Sequence, residues 1–410
     1  MNRLYNCDVI VAGGGLSGAA AALGLAKAGL SVIQLDSDGV TRSKAADFDG
    51  RAYAVALGAQ RFWAAVDLWP RVAEFAEPMI DILVSDGKVS EGASPLFLHL
   101  DHRELDEGVY GWMVEDRHMR PALLDTLANN SAVERRAGVT VVRAEYEAGR
   151  AIAYLSDGER LAAPLLIACD GRDSRLGAAA GIRRTGWSYG QNGLVCAVGH
   201  ELPHHGVAHE YFLPGGPFAI LPLRGNRSSL VWTEKKQEAE RIHALDDASY
   251  LSELEKRFGE FLGALSLEGR RWAYPLNLSL AHDYVRPRLA LVGDAAHAVH
   301  PIAGQGLNLG VRDAAALAEV ISEAMARGED IGAVDVLKRY EQWRRFDSTA
   351  MALAMDGLNR LFSNDIGPLR MIRDLGLAAV NQMTGPRRFF MKTAAGLTGE
   401  TPKLMRGELL

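Results

Sequence analysis

Residues Gly293–Asn308 read GDAAHAVHPIAGQGLN, and this stretch decides the fold. It follows the apolar run Leu289–Val292, which reads as a buried strand, and leads into a helical pattern beginning near Leu307. Gly293, Gly304 and Gly306 stand in one strand-to-helix connection together with Asp294 and Pro301. Such backbone is moulded onto a large polyanionic ligand, because glycine lets main-chain N–H groups approach phosphate and a helix N-terminus adds positive dipole. A second glycine-rich turn, Gly13–Gly18, stands at the other end of the chain. Two such turns, far apart in sequence, point to one ligand held by both.

The N-terminal turn belongs to a strand–helix–strand unit. Asp8–Ala12 (DVIVA) reads as a strand, Ala19–Ala28 as a helix closed by Gly29, and Ser31–Leu35 (SVIQL) as a second strand ending at Asp36. Gly13, Gly15 and Gly18 form GxGxxG. The first permits the tight turn, the second admits a pyrophosphate, and the third lets helix and strand pack closely. Asp36 stands where a carboxylate accepts ribose hydroxyls. The pairing of turns separates FAD from NAD, since a nicotinamide dehydrogenase needs no second phosphate turn near its C-terminus. On an FAD reading, Gly293 allows close approach and Asp294 accepts from a ribityl hydroxyl or orients nearby N–H groups. Pro301 fixes a turn beside the ring. Gly304, Gln305, Gly306, Leu307 and Asn308 open a helix whose N–H groups stabilise charge at the flavin N1/O2 edge.

The 410 residues are 48% hydrophobic and 23% charged with a formal net charge of −6, a globular composition that argues against a nucleic-acid surface. Cys7, Cys169 and Cys196 form no CxxC pair and lie in or near apolar runs, so buried thiols are expected and no metal site. The N-terminus lacks signal-peptide order, and no apolar run reaches the roughly 18 residues that span a bilayer. A cytoplasmic protein is expected, with peripheral contact at the inner membrane left open. Short β-like runs, Gly193–Gly199, His209–Leu213, Phe218–Leu223 and Ser228–Thr233, are separated by Gly, Pro and Asn. Arg51–Leu68 and Arg117–Ala128 read as helices and Val139–Ala144 as a strand. The fold class is therefore α/β: a Rossmann-like FAD-binding domain with an inserted mixed or antiparallel β-sheet substrate domain and a C-terminal helical segment. Residues 1–185 and 281–330 are assigned to the FAD-binding domain, with segments near 75–115 lent to the substrate domain. Residues 186–280 are assigned to the substrate sheet and 331–410 to the helical region.

Three motifs in order carry a family resemblance: GxGxxG at Gly13–Gly18, Cys169-Asp170-Gly171-Arg172-Asp173-Ser174 in the middle, and Gly293-Asp294 running on to Asn308. The chain resembles the group A, single-component FAD-dependent aromatic hydroxylases of the para-hydroxybenzoate hydroxylase fold. Asp49–Ala54 (DGRAYA), HPIAGQGLNLGVRDA and Asn359–Phe362 (NRLF) are most similar to the ubiquinone-biosynthesis members, the 2-polyprenylphenol hydroxylases. The resemblance implies that Gly13, Gly15, Gly18 and Asp36 hold the ADP half of FAD. It implies Arg51 near the flavin or its phosphates, and Asp170 beside the pyrophosphate and a transient NAD(P)H. Asp294 is implied at the ribityl chain, with Gly304–Asn308 along the isoalloxazine. It further implies NAD(P)H or another electron donor, O2 as co-substrate, a flavin hydroperoxide as hydroxylating species and a polyprenylated phenol as substrate. Membership of a ubiquinone-biosynthesis complex is left open. Asp116 stands where the family usually has Asn, and Asp36 where Glu is commoner. No catalytic base is assigned; candidates lie on the inserted sheet near Tyr211–Phe218. The rival readings are a small-aromatic hydroxylase or prenyl-chain reductase on the same fold, and a binding protein without redox chemistry.

Other features have plainer readings. His204, His205 and His209 are irregularly spaced without a carboxylate pattern, so a solvated loop is expected there. His297 is expected to hydrogen-bond its own turn. Leu369–Val380 (LRMIRDLGLAAV) is amphipathic and basic, which fits either an anionic lipid surface or packing on the core.

Overall fold

A computed structural model describes residues 5–39, 48–89, 92–105, 107–300, 304–363 and 367–410. Pro301 lies outside the described residues. Val9–Ala12 is fully buried and pairs in parallel with Val32–Asp36 on one side and Leu165–Ala168 on the other. Leu289–Leu291 joins Leu165–Ala168, also in parallel, and Val133–Ala137 joins Val32–Asp36. Val285–Arg286 completes the six-stranded sheet in the antiparallel sense. The runs VIVA, LLIA and LAL are apolar throughout because both faces of a parallel sheet are covered. Helices Leu16–Lys27, Gln305–Ala326 and Val334–Phe362 share that core. The strands feeding all three glycine motifs are therefore neighbours. Their parallel order sets Gly13, Asp170 and Gly293 at one carboxyl edge, where ligands of open α/β sheets bind.

An eight-stranded sheet runs in the order His297–Ala298, Leu265–Ala281, Arg184–His200, Arg227–Lys235, Gly216–Leu223, Val207–Leu213, Asp81–Lys88, Gly92–Asp101. All neighbours are antiparallel except Val207–Leu213 with Asp81–Lys88. One face buries Leu194, Tyr211, Phe218 and Trp232 beneath helices Lys236–His243 and Asp247–Phe258. The other face meets a three-stranded sheet of Ala52–Ala56, Gly111–Glu115 and Glu77–Met79 through Met79, Met113, Ala197 and Ala208. A separate meander joins Val141–Tyr146, Ala151–Leu155 and Arg160–Ala163.

One expectation changes, and one left open is narrowed. Arg51–Leu68 is not helical throughout: Ala52–Ala56 is a strand paired with Gly111–Glu115, and the helix begins at Leu57. Its alanines favour helix locally, but cross-strand pairing overrides that preference. The C-terminal helix Gly367–Gln382 lies over the outer strands of the large sheet. There Arg373 is buried and ion-paired to Asp86 at 2.7 Å, while Leu377 and Val380 pack beside Leu98 and Leu100. Its inner face therefore packs on the protein.

Candidate cofactor and active site

Gly13 has φ +133°, and a Cβ there would lie 2.2 Å from the Cys169 carbonyl oxygen. One at Gly18 would lie 2.1 Å from the Gly13 oxygen. Both must be glycine for the protein's own packing. Gly14, which the motif reading passed over, is glycine because a Cβ would fall 1.9 Å from Asp36 Cγ. Gly15 differs. It is the N-cap of Leu16–Lys27 at φ −70°, and a Cβ would meet nothing within 4 Å. Gly306, in the first turn of Gln305–Ala326, likewise faces open space. No side chain caps either helix, so first-turn N–H groups face outward. These cradles, which a side chain would fill, fit the pyrophosphate and ring edge of FAD.

Asp36 is buried, accepting from the Asp38 N–H at 2.9 Å and from Arg135 Nη2 at 2.6 Å. Arg135 comes from Val133–Ala137 (VERRA), a half-buried edge strand with no apolar run to reveal it. Asp170 is exposed and its Oδ2 accepts from the Leu176 N–H at 3.1 Å. Asp294 is also exposed, and its carbonyl accepts from Arg184 Nη2 at 3.2 Å.

The Gly293 turn is held from beneath. The Gly293 N–H donates to Asp313 Oδ2 at 3.0 Å, and His297 Nε2 lies 2.6 Å from the same oxygen. Arg344 Nε donates to Asp313 Oδ1 at 2.8 Å, and both ion-pair partners are 0% exposed. Burial pushes the Asp313 carboxyl up, but the charges and hydrogen bonds of His297 and Arg344 outweigh it and hold it below the ordinary range. Tyr340 Oη donates to the Leu291 carbonyl at 2.8 Å, tying the preceding strand to the same long helix. Asn308 is engaged with backbone: Oδ1 accepts from the Ala56 N–H at 3.0 Å and Nδ2 donates to the Ala54 carbonyl at 3.1 Å. It pins the strand Ala52–Ala56 to the helix start. Gln305 is buried and Leu307 half-buried in the same turn. His300, buried against Tyr189 with neither ring nitrogen partnered among the described residues, supplies polar atoms beside this turn.

Arg51 lies over Trp272 and donates to Asp49 Oδ2 at 2.8 Å and to Asp116 Oδ2 at 3.0 Å. Asp116 also accepts from Tyr53 Oη at 2.6 Å and from Arg120 Nε at 3.3 Å. Burial first, then the Asp116 charge, hold the Tyr53 hydroxyl well above its usual pKa. The carboxylate at position 116 thus gathers three donors, two of them cationic. Asp116→Asn turns an amide N–H2 toward one of them. It is expected to cost about 1–3 kcal/mol, read by urea unfolding.

The histidines expected on a loop do not converge. His204 is engaged with the Leu223 carbonyl and the Gly206 N–H, while His209 packs on Phe261 and Tyr211. Among the described residues, Asp81, Asp101 and His102 bring three ligand atoms within 4.8 Å, away from the glycine turns, and Arg103 already clasps Asp101. A cleft of about 740 Å³ opens beside the long helix, lined by Trp187, Tyr189, Gln191, Pro214, Asn359 and Ser363.

Residues 6–353 match the family described as "FAD binding domain". The chain is 44% identical to ubiquinone hydroxylase UbiL of Rhodospirillum rubrum over 403 residues, covering 98% of this chain and 92% of that protein. It is 33% identical to the 3-demethoxyubiquinol 3-hydroxylase of Escherichia coli, covering 95% and 98%. The fold is similar to that of p-nitrophenol 4-monooxygenase PnpA from Pseudomonas putida DLL-E4, with a TM-score of 0.78 at 21% identity over 96% of this chain and 98% of that one. With three glycine motifs on one sheet edge and cradles that fit FAD, the chain belongs to the FAD-dependent monooxygenase family of the ubiquinone hydroxylases.

Proposed function

We propose that this enzyme hydroxylates the aromatic ring of a polyprenylated phenol in ubiquinone biosynthesis, with FAD resident, NAD(P)H or another donor as reductant and O2 as co-substrate. The observation that carries this is full-length likeness to ubiquinone hydroxylases in a chain that keeps its glycine cradles open at both ends. On this reading Gly13, Gly15, Gly18 and Asp36 hold the ADP half, with Asp170 and Arg51 flanking the phosphates. Gly293 and Asp294 meet the ribityl chain. Gly304, Gln305, Gly306, Leu307 and Asn308 form the wall along the ring, Asn308 by positioning it. Reduced flavin supplies oxygen in a form that an electron-rich ring attacks. The chain's task is to bind and orient that ring and exclude water. Residues 1–185 and 281–330 then act as the FAD-binding unit and 186–280 as the substrate sheet.

Lipid extracts from a strain lacking the gene are expected to accumulate a polyprenylphenol one ring oxygen short. An unchanged quinone pool would overturn the reading.

Peripheral contact with the inner membrane suits such a substrate. Among the described residues no helix is long and apolar enough to cross a membrane. Leu375, Met383 and Phe389 are nevertheless 58%, 54% and 62% exposed, with Arg388 and Lys392 exposed nearby in sequence. Met383→Glu with Phe389→Glu is expected to reduce co-sedimentation with anionic vesicles at least several-fold while flavin content holds. Undiminished sedimentation would remove this surface.

A further inference from the structure

We propose that Glu210 contacts the hydroxyl of the phenolic substrate and takes its proton, an assignment that rests on the ring-hydroxylation reading above. The strand Val207–Leu213 reads VAHEYFL, and its side chains alternate between two faces. Tyr211 and Leu213 point into the helix-covered core. Ala208 packs on the opposite face with Met79, Met113, Ala52 and Ala54, and Phe212 stacks on Phe362 at 4.2 Å. Period two therefore sets Glu210 between Ala208 and Phe212, on the face turned to the small sheet and the long helix. Its cross-strand neighbours are Ala219 and Val84, with Val231 beyond, so the carboxyl stands on a floor of small apolar groups.

This face adjoins the flavin wall through one methyl group. Ala54 packs with the Ala208 cluster, and a Cβ at Gly304 would lie 3.0 Å from Ala54 Cβ. The Ala54 carbonyl is the group that Asn308 holds. Glu210 is 8% exposed, and no described residue gives it a hydrogen bond or an ion pair. The ionisable groups on the surrounding elements are already engaged. Asp86 is paired with Arg373, Asp356 with Arg360 and Trp187, Tyr53 with Asp116, and Glu115 with Arg227 and Arg117. A buried carboxyl without a partner is costly, and a ligand hydroxyl is the partner that would relieve it.

The chemistry agrees with the placement. Burial pushes the Glu210 carboxyl up to about 8. A phenol titrates near 10, so an ordinary carboxylate near 4.3 lies roughly six units too low to hold its proton. At Glu210 the gap closes to about two. The phenol O–H breaks, a carboxyl O–H forms, and the oxygen's electron pair raises density at the ring carbons that attack. As the aromatic product re-forms, the C–H bond at the hydroxylated carbon breaks and its proton leaves to solvent, while the carboxyl returns the first proton to the phenol oxygen.

The test uses FAD-loaded wild type and Glu210→Gln with two probes: a short-chain 2-prenylphenol and a prenylated nitrophenol whose phenolate absorbs visible light. Gln keeps the shape and removes a buried acid, so folding is retained. Wild-type kcat/KM is expected to rise with pH through about 8, because the ionised carboxylate is the base. Glu210→Gln loses that limb and falls about 100-fold in product formed, with flavin content unchanged. Bound nitrophenol shows the phenolate spectrum in wild type and not in Glu210→Gln. A variant that keeps both the pH limb and the phenolate spectrum overturns the assignment. Wild type that binds the nitrophenol as phenolate through Glu210, yet leaves the prenylphenol unhydroxylated, overturns the substrate reading and not the role of Glu210.

Discussion

Asp313→Ala is expected to destabilise the protein by about 3–5 kcal/mol and to release the flavin with it. The loss is large because three groups depend on one carboxylate. Arg344, with no exposure, keeps only Asp347 and Ser348 as partners, His297 loses its partner, and the Gly293 N–H is left without an acceptor. The Gly293 turn then has nothing beneath it, although its own residues are unchanged. Arg344→Met is expected to cost as much, since it strands the opposite charge. The double variant Asp313→Ala, Arg344→Met should cost clearly less than the sum, because neither member of the buried pair is left facing an empty place; urea melts of all four proteins measure the coupling. Strict additivity would sink the claim that the pair acts as a unit. The pH sign follows from the depressed Asp313 carboxyl. Its contribution is present above the unfolded carboxylate value near 3.9 and is lost as pH falls through the lower folded value. Wild type should therefore lose stability on acidification more steeply than Asp313→Ala.

Gly15→Val is expected to give a folded, colourless protein, with FAD affinity reduced at least 100-fold. Gly15 has extended backbone that any residue adopts, and its Cβ direction is empty of protein. The fold should lose only about 1 kcal/mol, the usual scale of an N-cap change. Gly13→Ala is the contrasting case. At φ +133° with a carbonyl oxygen 2.2 Å from the new methyl, it should damage the sheet edge itself. Absorbance near 450 nm per mole of protein, together with thermal unfolding of the apo forms, separates the two. A fully yellow Gly15→Val would mean that the open cradle is not where the pyrophosphate lies.

These two variants also mark what the amino-acid pattern can reveal. The glycine turns were legible because their spacing, strand approach and helix exit are all local. The inserted sheet was legible from its short apolar runs between turn residues, although one of its two longest strands was read short and the other was not read at all. Arg184–His200 and Leu265–Ala281 carry half-exposed polar ends that look like loop. Ala52–Ala56 was misread because alanine signals helix until a partner strand is known. Asp313 and Arg344 were hidden for a different reason. Each sits on a helix whose pattern is otherwise unremarkable, and their meaning lies in a contact across 31 residues of chain. Glu210 is the intermediate case: its strand was readable, but that no described residue pairs with it appears only once its neighbours are in place.

The order of the parallel sheet has a consequence for how the chain is made. Leu165–Ala168 lies between Val9–Ala12 and Leu289–Leu291, so its second neighbour is synthesised some 120 residues after it. At roughly 5–20 residues per second, a ribosome needs on the order of 10 s to deliver that strand. Throughout that interval the nascent chain carries a fully apolar strand, LLIA, with one edge open. A chain stopped before Leu289 keeps that edge permanently and should aggregate instead of behaving as a smaller domain, so in a cell this protein is a natural client for chaperones that shield emerging chains.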